Sequence, residues 1–212
     1  MRIVVTRPRG EAAELAGRLE ELGHEVVVCP LIEIEPIGPA EVEVSNYDWV
    51  VVTSANGARE LAARLRGRPR RTAAIGPATA AALRERGTEP DLVPAVSTQE
   101  GLLGELPCPP GRVLLAGAEG ARRLLVDELG ADFVPLYRTR ELNPESFPEG
   151  DLVVLASASA ARAYAALGHR APAVSIGPQT TEAARAGGVE VVAEAQTHDA
   201  AGLVAAVAGL QR

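Results

Sequence analysis

The chain carries nearly the same sequence twice, and that repeat constrains its fold more than any other feature. RIVVTRPRGEAAELAGRLEELGHEVVVCPLIEIEP, from Arg2, is answered at Arg112 by RVLLAGAEGARRLLVDELGADFVPLYRTREL. VVVTSANGARELAARL, from Val50, returns as LVVLASASAARAYAAL, from Leu152; AIGPATAAALRERG, from Ala74, returns as SIGPQTTEAARAGG, from Ser175. The tail around Ser97 to Leu103 comes back around Thr197 to Val204. A repeat of about 100 residues is domain-sized, whereas solenoid repeats run roughly 20 to 50 residues. Duplication therefore predicts two similar lobes, and two lobes make a cleft.

Each half alternates short β-branched runs with helical patterns, which predicts βα units around a parallel sheet. Strands are expected at 2–6, 25–29, 49–53, 72–75 and 91–93, with partners at 112–116, 132–135, 152–156, 173–176 and 190–193. Ala12, Leu15, Ala16, Leu19 and Leu22 share one helical face, as do Ala58, Leu61, Ala62 and Leu65. Ser54 and Ser157 each follow a buried-looking strand and precede a helix, the place of an N-cap. Gly76-Pro77 and Gly177-Pro178 open helices with a tight turn and a preset first residue, and Gly87 and Gly187 read as left-handed helix stops. Ser97 to Glu100 reads as a capping box.

Ligands of open α/β sheets sit beyond the carboxyl ends of the strands, where helices begin. The exposed N–H groups and positive dipole end of such a start suit a carboxylate or phosphate, although every βα unit needs capped helices for architecture alone.

Composition narrows the classes. A formal charge of −7 argues against a basic nucleic-acid-binding face. Lysine is absent, so arginine supplies all 21 basic side chains. The one basic run, Arg64 to Arg71, reads as a solvated helix end and loop. No apolar stretch is long enough to span a membrane, and the N-terminus opens as a strand, so a cytoplasmic protein without membrane association is expected. Cys29 and Cys108 are the only cysteines, and His24, His169 and His198 stand far apart, so no metal site is expected.

No GxGxxG, GxxxxGK[ST] or GxSxG occurs, which disfavours a Rossmann dehydrogenase, a P-loop enzyme and an α/β-hydrolase. An enzyme on this framework works by positioning, electrostatics and a proton donor. Of three tyrosines, Tyr164 falls on an apolar helical face and reads as core, and Tyr47 reads as surface or packing. Tyr137 lies in VPLYRTREL, an extended segment where its phenol either faces the cleft or packs.

These motifs, taken in order, resemble the uroporphyrinogen-III synthase family. The match rests on VVTRP near the N-terminus, VVTSANG at 51–57, AIGPATAAAL at 74–83, LYRT at 136–139, LASASAARAY at 155–164, SIGPQTTEAA at 175–184 and GLVAAV at 202–207. The resemblance implies two α/β lobes of flavodoxin-like or Rossmann-like kind, related by duplication and joined by a two-stranded linker. Residues 1–35 plus 141–212 would form the first, discontinuous lobe and 36–140 the second, with linkers near 29–36 and 134–142. Pro30, Pro36 and Pro135 flank these linkers, and hinge closure that excludes water is expected of them.

The family's reaction closes the linear tetrapyrrole hydroxymethylbilane to uroporphyrinogen III, with loss of water and inversion of ring D. No cofactor is implied. The resemblance further implies a cytoplasmic monomer, with transient contact to the preceding pathway enzyme. Tyr137 becomes the general acid that assists departure of the hydroxyl. Because the substrate is polyanionic and the protein is acidic, local donors must attract it. The helix starts at Ser54, Asn56 and Gly57; at Gly76, Pro77, Ala78 and Thr79; at Ser157, Ala158 and Ser159; and at Gly177, Pro178, Gln179 and Thr180 fit that need, helped by Thr53, Arg7 and Arg138. The chain departs from the family's usual pattern at Gln179-Thr180 and at LASAS, where Ala156 removes a hydroxyl. The rival reading is a two-lobed binding or sensory module for an anionic metabolite, with no catalysis.

Overall fold

Strands buried on both faces read as unbroken aliphatic runs, and Trp49–Val52 and Leu152–Leu155 are buried at every residue. They are the hearts of two sheets in a computed structural model that describes residues 1–169 and 171–210. The first half comprises β1 (Arg2–Val5), α1 (Arg9–Glu21), β2 (Glu25–Val28), β3 (Ile32–Pro36), β4 (Val42–Glu43), β5 (Trp49–Val52), α2 (Ala55–Arg64), β6 (Leu65–Arg66), β7 (Thr72–Ala74), α3 (Pro77–Arg84) and α4 (Gln99–Glu105). The second comprises β8 (Val113–Ala118), α5 (Leu124–Leu129), β9 (Asp132–Glu141), β10 (Leu152–Leu155), α6 (Ala158–Ala166), β11 (Ala173–Ser175), α7 (Pro178–Ala186), β12 (Val191–Glu194) and α8 (Ala200–Gly209).

The chain divides into two compact units, Met1–Glu33 with Thr139–Arg212, and Ile34–Arg138. In the first, the sheet order is β12-β11-β10-β1-β2, parallel throughout, with Val4 opposite Val153. In the second, the order is β3-β9-β8-β5-β7, and β9, β8, β5 and β7 are mutually parallel. Ile3, Val5, Leu15, Leu19, Val154 and Leu203 build core on one face of the first sheet, and Val4, Leu31, Leu155 and Tyr164 on the other. The second sheet is covered likewise, by Val52, Leu61 and Leu136 on one side and Val51, Leu102 and Leu115 on the other. Two covered faces are what a parallel sheet requires.

β3 runs against β9. Ile37 N–H donates to the Leu136 carbonyl at 3.0 Å and Leu142 N–H to the Leu31 carbonyl at 2.8 Å. Arg138 pairs with Glu35 at 2.8 Å and Arg140 with Glu33 at 2.6 Å. Both chain crossings between the units fall inside these two strands.

Four expectations from the sequence need correction. The strand at 91–93 is only an isolated bridge from Ala73 to Leu92, because Pro90 and Pro94 deny it the flanking ladder donors. The left-handed stop after α7 is Gly188 at φ 79°, since Gly187 keeps φ −88° and caps the helix itself. Thr98 rather than Ser97 caps α4, accepting from Gly101 N–H at 3.0 Å. The run at Arg64–Arg71 is not all solvated: the Arg64 side chain is only 12% exposed.

Candidate functional site

In an open sheet the ligand crevice lies where strand order reverses. In the Ile34–Arg138 unit the reversal falls between β5 and β8, because the chain proceeds outward from β8 to β9 on one side and from β5 to β7 on the other. At the carboxyl end of β5, Ser54 adopts extended backbone and its Oγ accepts from Gly57 N–H at 2.9 Å, capping α2. Tyr137 arrives from β9, and its hydroxyl lies 2.9 Å from the same Ser54 Oγ. Small residues permit this approach. A Cβ on Gly117 would stand 2.9 Å from Thr53 Oγ1, and one on Gly57 would stand 3.4 Å from Gly117 Cα. Tyr137 is 6% exposed, so its ring is anchored in apolar packing while its oxygen meets the helix start.

In the other unit the reversal falls between β1 and β10. Ser157 caps α6 by accepting from Ala160 N–H at 3.1 Å. Thr6 is fully buried and donates to the Val154 carbonyl at 2.8 Å, and Arg7 pairs with Glu11 at 3.4 Å. A groove of about 540 Å³ runs along α6 and α7, with Ala158, Arg162 and Gln179 in its lining. Another cleft, of about 420 Å³, lies at the opposite strand ends, lined by Arg2, Phe147, Asp151, Tyr164 and His169. The first groove touches the starts of α6 and α7 at Ala158 and Gln179 and continues past Glu182 to Gly187.

The structure thus gathers Thr53, Ser54, Asn56, Gly57 and Tyr137 at one helix start, and Ser157, Ala158 and Ser159 at its duplicate. Gly76 and Gly177 stand as N-caps with Pro77 and Pro178 in the first turns of α3 and α7. Ala78 and Gln179 are exposed there, but Thr79 and Thr180 turn inward and are buried. Arg138 is bidentate to Glu35, with Nε and Nη2 at 3.0 and 2.8 Å, and this carboxylate holds the guanidinium pKa above its ordinary value. Tyr164 is core, as its apolar helical face implies: it is fully buried, and its hydroxyl donates to the Ala171 carbonyl at 2.9 Å.

Sequence reading passed over two arginines. Arg59 donates to Asn56 Oδ1 at 2.9 Å and Arg162 to Ser159 Oγ at 3.1 Å, so each duplicate helix bends a guanidinium back toward its own start. A cation there opposes the helix dipole. The signal was the recurring Ser-x-x-x-x-Arg. Ser97 and His198 were also missed as rim residues: a Cβ on Gly76 would meet Ser97 Cβ at 2.9 Å, and one on Gly177 would meet the His198 ring at 2.8 Å.

Fold and site together define a duplicated parallel α/β protein with capped helix starts at each sheet reversal and a phenol bonded to one of them. A family profile described as uroporphyrinogen-III synthase HemD matches residues 13–205. A putative uroporphyrinogen-III synthase of Methanocaldococcus jannaschii is 30% identical over 159 residues, covering 70% of this chain and 65% of that protein. The porphyrin biosynthesis protein HemD of Ruminiclostridium josui is 31% identical, covering 93% of this chain and 46% of that one. A uroporphyrinogen-III synthase of Synechococcus elongatus is 27% identical, covering 74% and 66%. The chain spans less than two thirds of the length of these relatives. A crystal structure of a mutant uroporphyrinogen III synthase from the extreme thermophile Thermus thermophilus has the same fold, with a TM-score of 0.63 at 22% identity over 100% of this chain and 98% of that one. The chain belongs to the uroporphyrinogen-III synthase HemD family.

Proposed function

We propose that this chain is a uroporphyrinogen-III synthase, a hydro-lyase that closes hydroxymethylbilane to uroporphyrinogen III with inversion of ring D and release of water. The single observation that carries the reading is the hydrogen bond between Tyr137 and Ser54 at the start of α2. Ser54 Oγ already accepts from Gly57 N–H. If Ser54 then donates its own hydrogen to the phenol oxygen, the chain Gly57 to Ser54 to Tyr137 is polarised from the positive helix end, and the phenolic proton passes to the leaving hydroxyl. Water departs with that proton, and the azafulvene cation left behind is attacked by ring D. A positioned acid of this kind contributes roughly 10²- to 10⁴-fold.

The remaining donors select the substrate's bend. Amides at the starts of α2, α3, α6 and α7 take its carboxylates, and the backward-leaning Arg59 and Arg162 add charge-assisted bonds there. A guanidinium at a helix start, unfavourable for the empty helix, fits a site built to receive anions. Arg7 joins them by exchanging Glu11 for a substrate carboxylate. Among the described residues no helix is long and apolar enough to cross a membrane. The reading places the protein in the cytoplasm as a monomer acting on hydroxymethylbilane.

The test is turnover of freshly made hydroxymethylbilane with separation of the product isomers. Type III isomer should accumulate in proportion to protein. Accumulation of type I alone, at the uncatalysed rate, removes the assignment.

A further inference from the structure

The pairing of β8 with β9 skips one residue. Gly117 stands opposite Pro135, but Ala118 stands opposite Tyr137, so Leu136 has no partner on β8. Such a skip re-aims the following side chain, and here the following side chain is Tyr137. Its own carbonyl is fixed by Glu119 N–H at 2.8 Å. The peptide before it lies outside the β8 ladder, and on the β3 side its carbonyl accepts from Ile37 N–H at 3.0 Å.

Arg64 supplies a second anchor for the same carbonyl. It closes α2, the helix whose first turn begins at Ser54. Its Nη2 donates to the Leu136 carbonyl at 3.0 Å, its Nη1 donates to the Ile37 carbonyl, and Glu60 neutralises it from the preceding turn. One helix therefore holds Tyr137 from two directions: the N-cap meets the phenol, and the last residue holds the skipped peptide. The internal duplicate lacks both parts. Aligning the Leu-Tyr of residues 136–137 with the Leu-Ile of residues 31–32 puts Ile32 in the phenol's place, and aligning Ser54 with Ser157 puts Leu167 in the place of Arg64. An arginine serving only as a generic fastener of parallel α/β units would have no reason to vanish together with the tyrosine.

We propose that Arg64 is a positioning residue for Tyr137: by gripping the Leu136 carbonyl it sets the angle at which the phenol meets Ser54 and the substrate. The proposal rests on the reading of Tyr137 as the proton donor, and its test separates the two. The first readout needs no catalysis. With tyrosine labelled at the ring carbon bearing oxygen, the NMR signal of Tyr137, assigned by its loss in Tyr137→Phe, should move or broaden in Arg64→Met and Arg64→Lys. It should stay in place in Arg66→Met, which removes an exposed guanidinium paired with Glu41. Lysine keeps the charge beside Glu60 but cannot reach both carbonyls at once, so Arg64→Lys keeps the experiment decisive should Arg64→Met not fold. An unmoved Tyr137 signal in Arg64→Lys overturns the proposal.

The second readout is a double-mutant cycle in kcat. Arg64→Lys should lower kcat about tenfold with little change in KM, and should lower it no further in a Tyr137→Phe background. Equal losses in both backgrounds overturn the positioning role while leaving Tyr137 as the acid. Wild-type turnover by Tyr137→Phe removes the acid instead, and is a separate result.

Discussion

The two units keep the same helix starts but not the same strand end beside them. In Ile34–Arg138, β9 brings Tyr137 onto the cap of α2, and Arg64 holds the peptide before it. In the other unit the equivalent positions carry Ile32, buried, and Leu167. What stayed common is the set of helix starts, the donors of the proposed anion site: serine caps, Gly-Pro starts, and an arginine leaning on each first turn. What diverged is the phenol, the proton donor of the proposed reaction. In the proposed reaction a single leaving hydroxyl needs one acid, whereas a polyanion is best held by many donors, so duplication suits the second task and divergence the first.

That contrast breaks most visibly at the phenol. Tyr137→Phe should lower kcat about 10²-fold or more, at the scale of a positioned general acid, with retained affinity for product by calorimetry. Turnover within a factor of two of the parent would contradict it. The caps come next. Ser54→Ala and Ser157→Ala should each lose about 1 kcal/mol of stability in denaturant melts, because both remove a hydroxyl that accepts a helix-start N–H. Only Ser54→Ala should also cut kcat, by about tenfold, since it alone removes the phenol's partner. Arg59→Ala and Arg162→Ala should behave alike, each raising KM about tenfold with kcat little changed, as expected for one charge-assisted bond. A kcat effect confined to one of the two would show that the anion task has been divided as well.

The smallest effect compares equivalent caps further along. Asp199 caps α8 where Thr98 caps α4. The Gly202 N–H bond, with help from Thr197, holds the Asp199 carboxyl below its ordinary pKa. A depressed carboxylate contributes fully above its unfolded pKa of about 3.9, and that contribution is lost as pH falls through the lower folded value. Hydrogen exchange should therefore show the Gly202 amide losing protection below about pH 4, while the Gly101 amide, capped by a hydroxyl, shows no such step.

Much of this was legible in the residues. Strands buried on both faces, such as Val50–Val52 and Leu152–Leu155, announce themselves as aliphatic runs, and the Ser and Gly-Pro starts follow from local capping chemistry. What was hidden depends on contacts distant in the chain. Arg64 looked like one arginine in a basic run, and nothing local reveals that it reaches Ile37 and Leu136. The skip at Leu136 is a property of two strands, not one. Ser97 reads as a cap until its neighbour Thr98 takes that place and leaves it over Gly76. Arg138 reads as a free cation only while Glu35 is unseen.

The most direct measurement is the structure of the protein with uroporphyrinogen III bound. The account predicts its carboxylates on the amides at the starts of α2, α3, α6 and α7, with the Tyr137 hydroxyl against the macrocycle. Carboxylates found instead at the opposite strand ends, around Arg2 and Arg112, with the Tyr137 and Ser54 pair untouched by ligand, would contradict it.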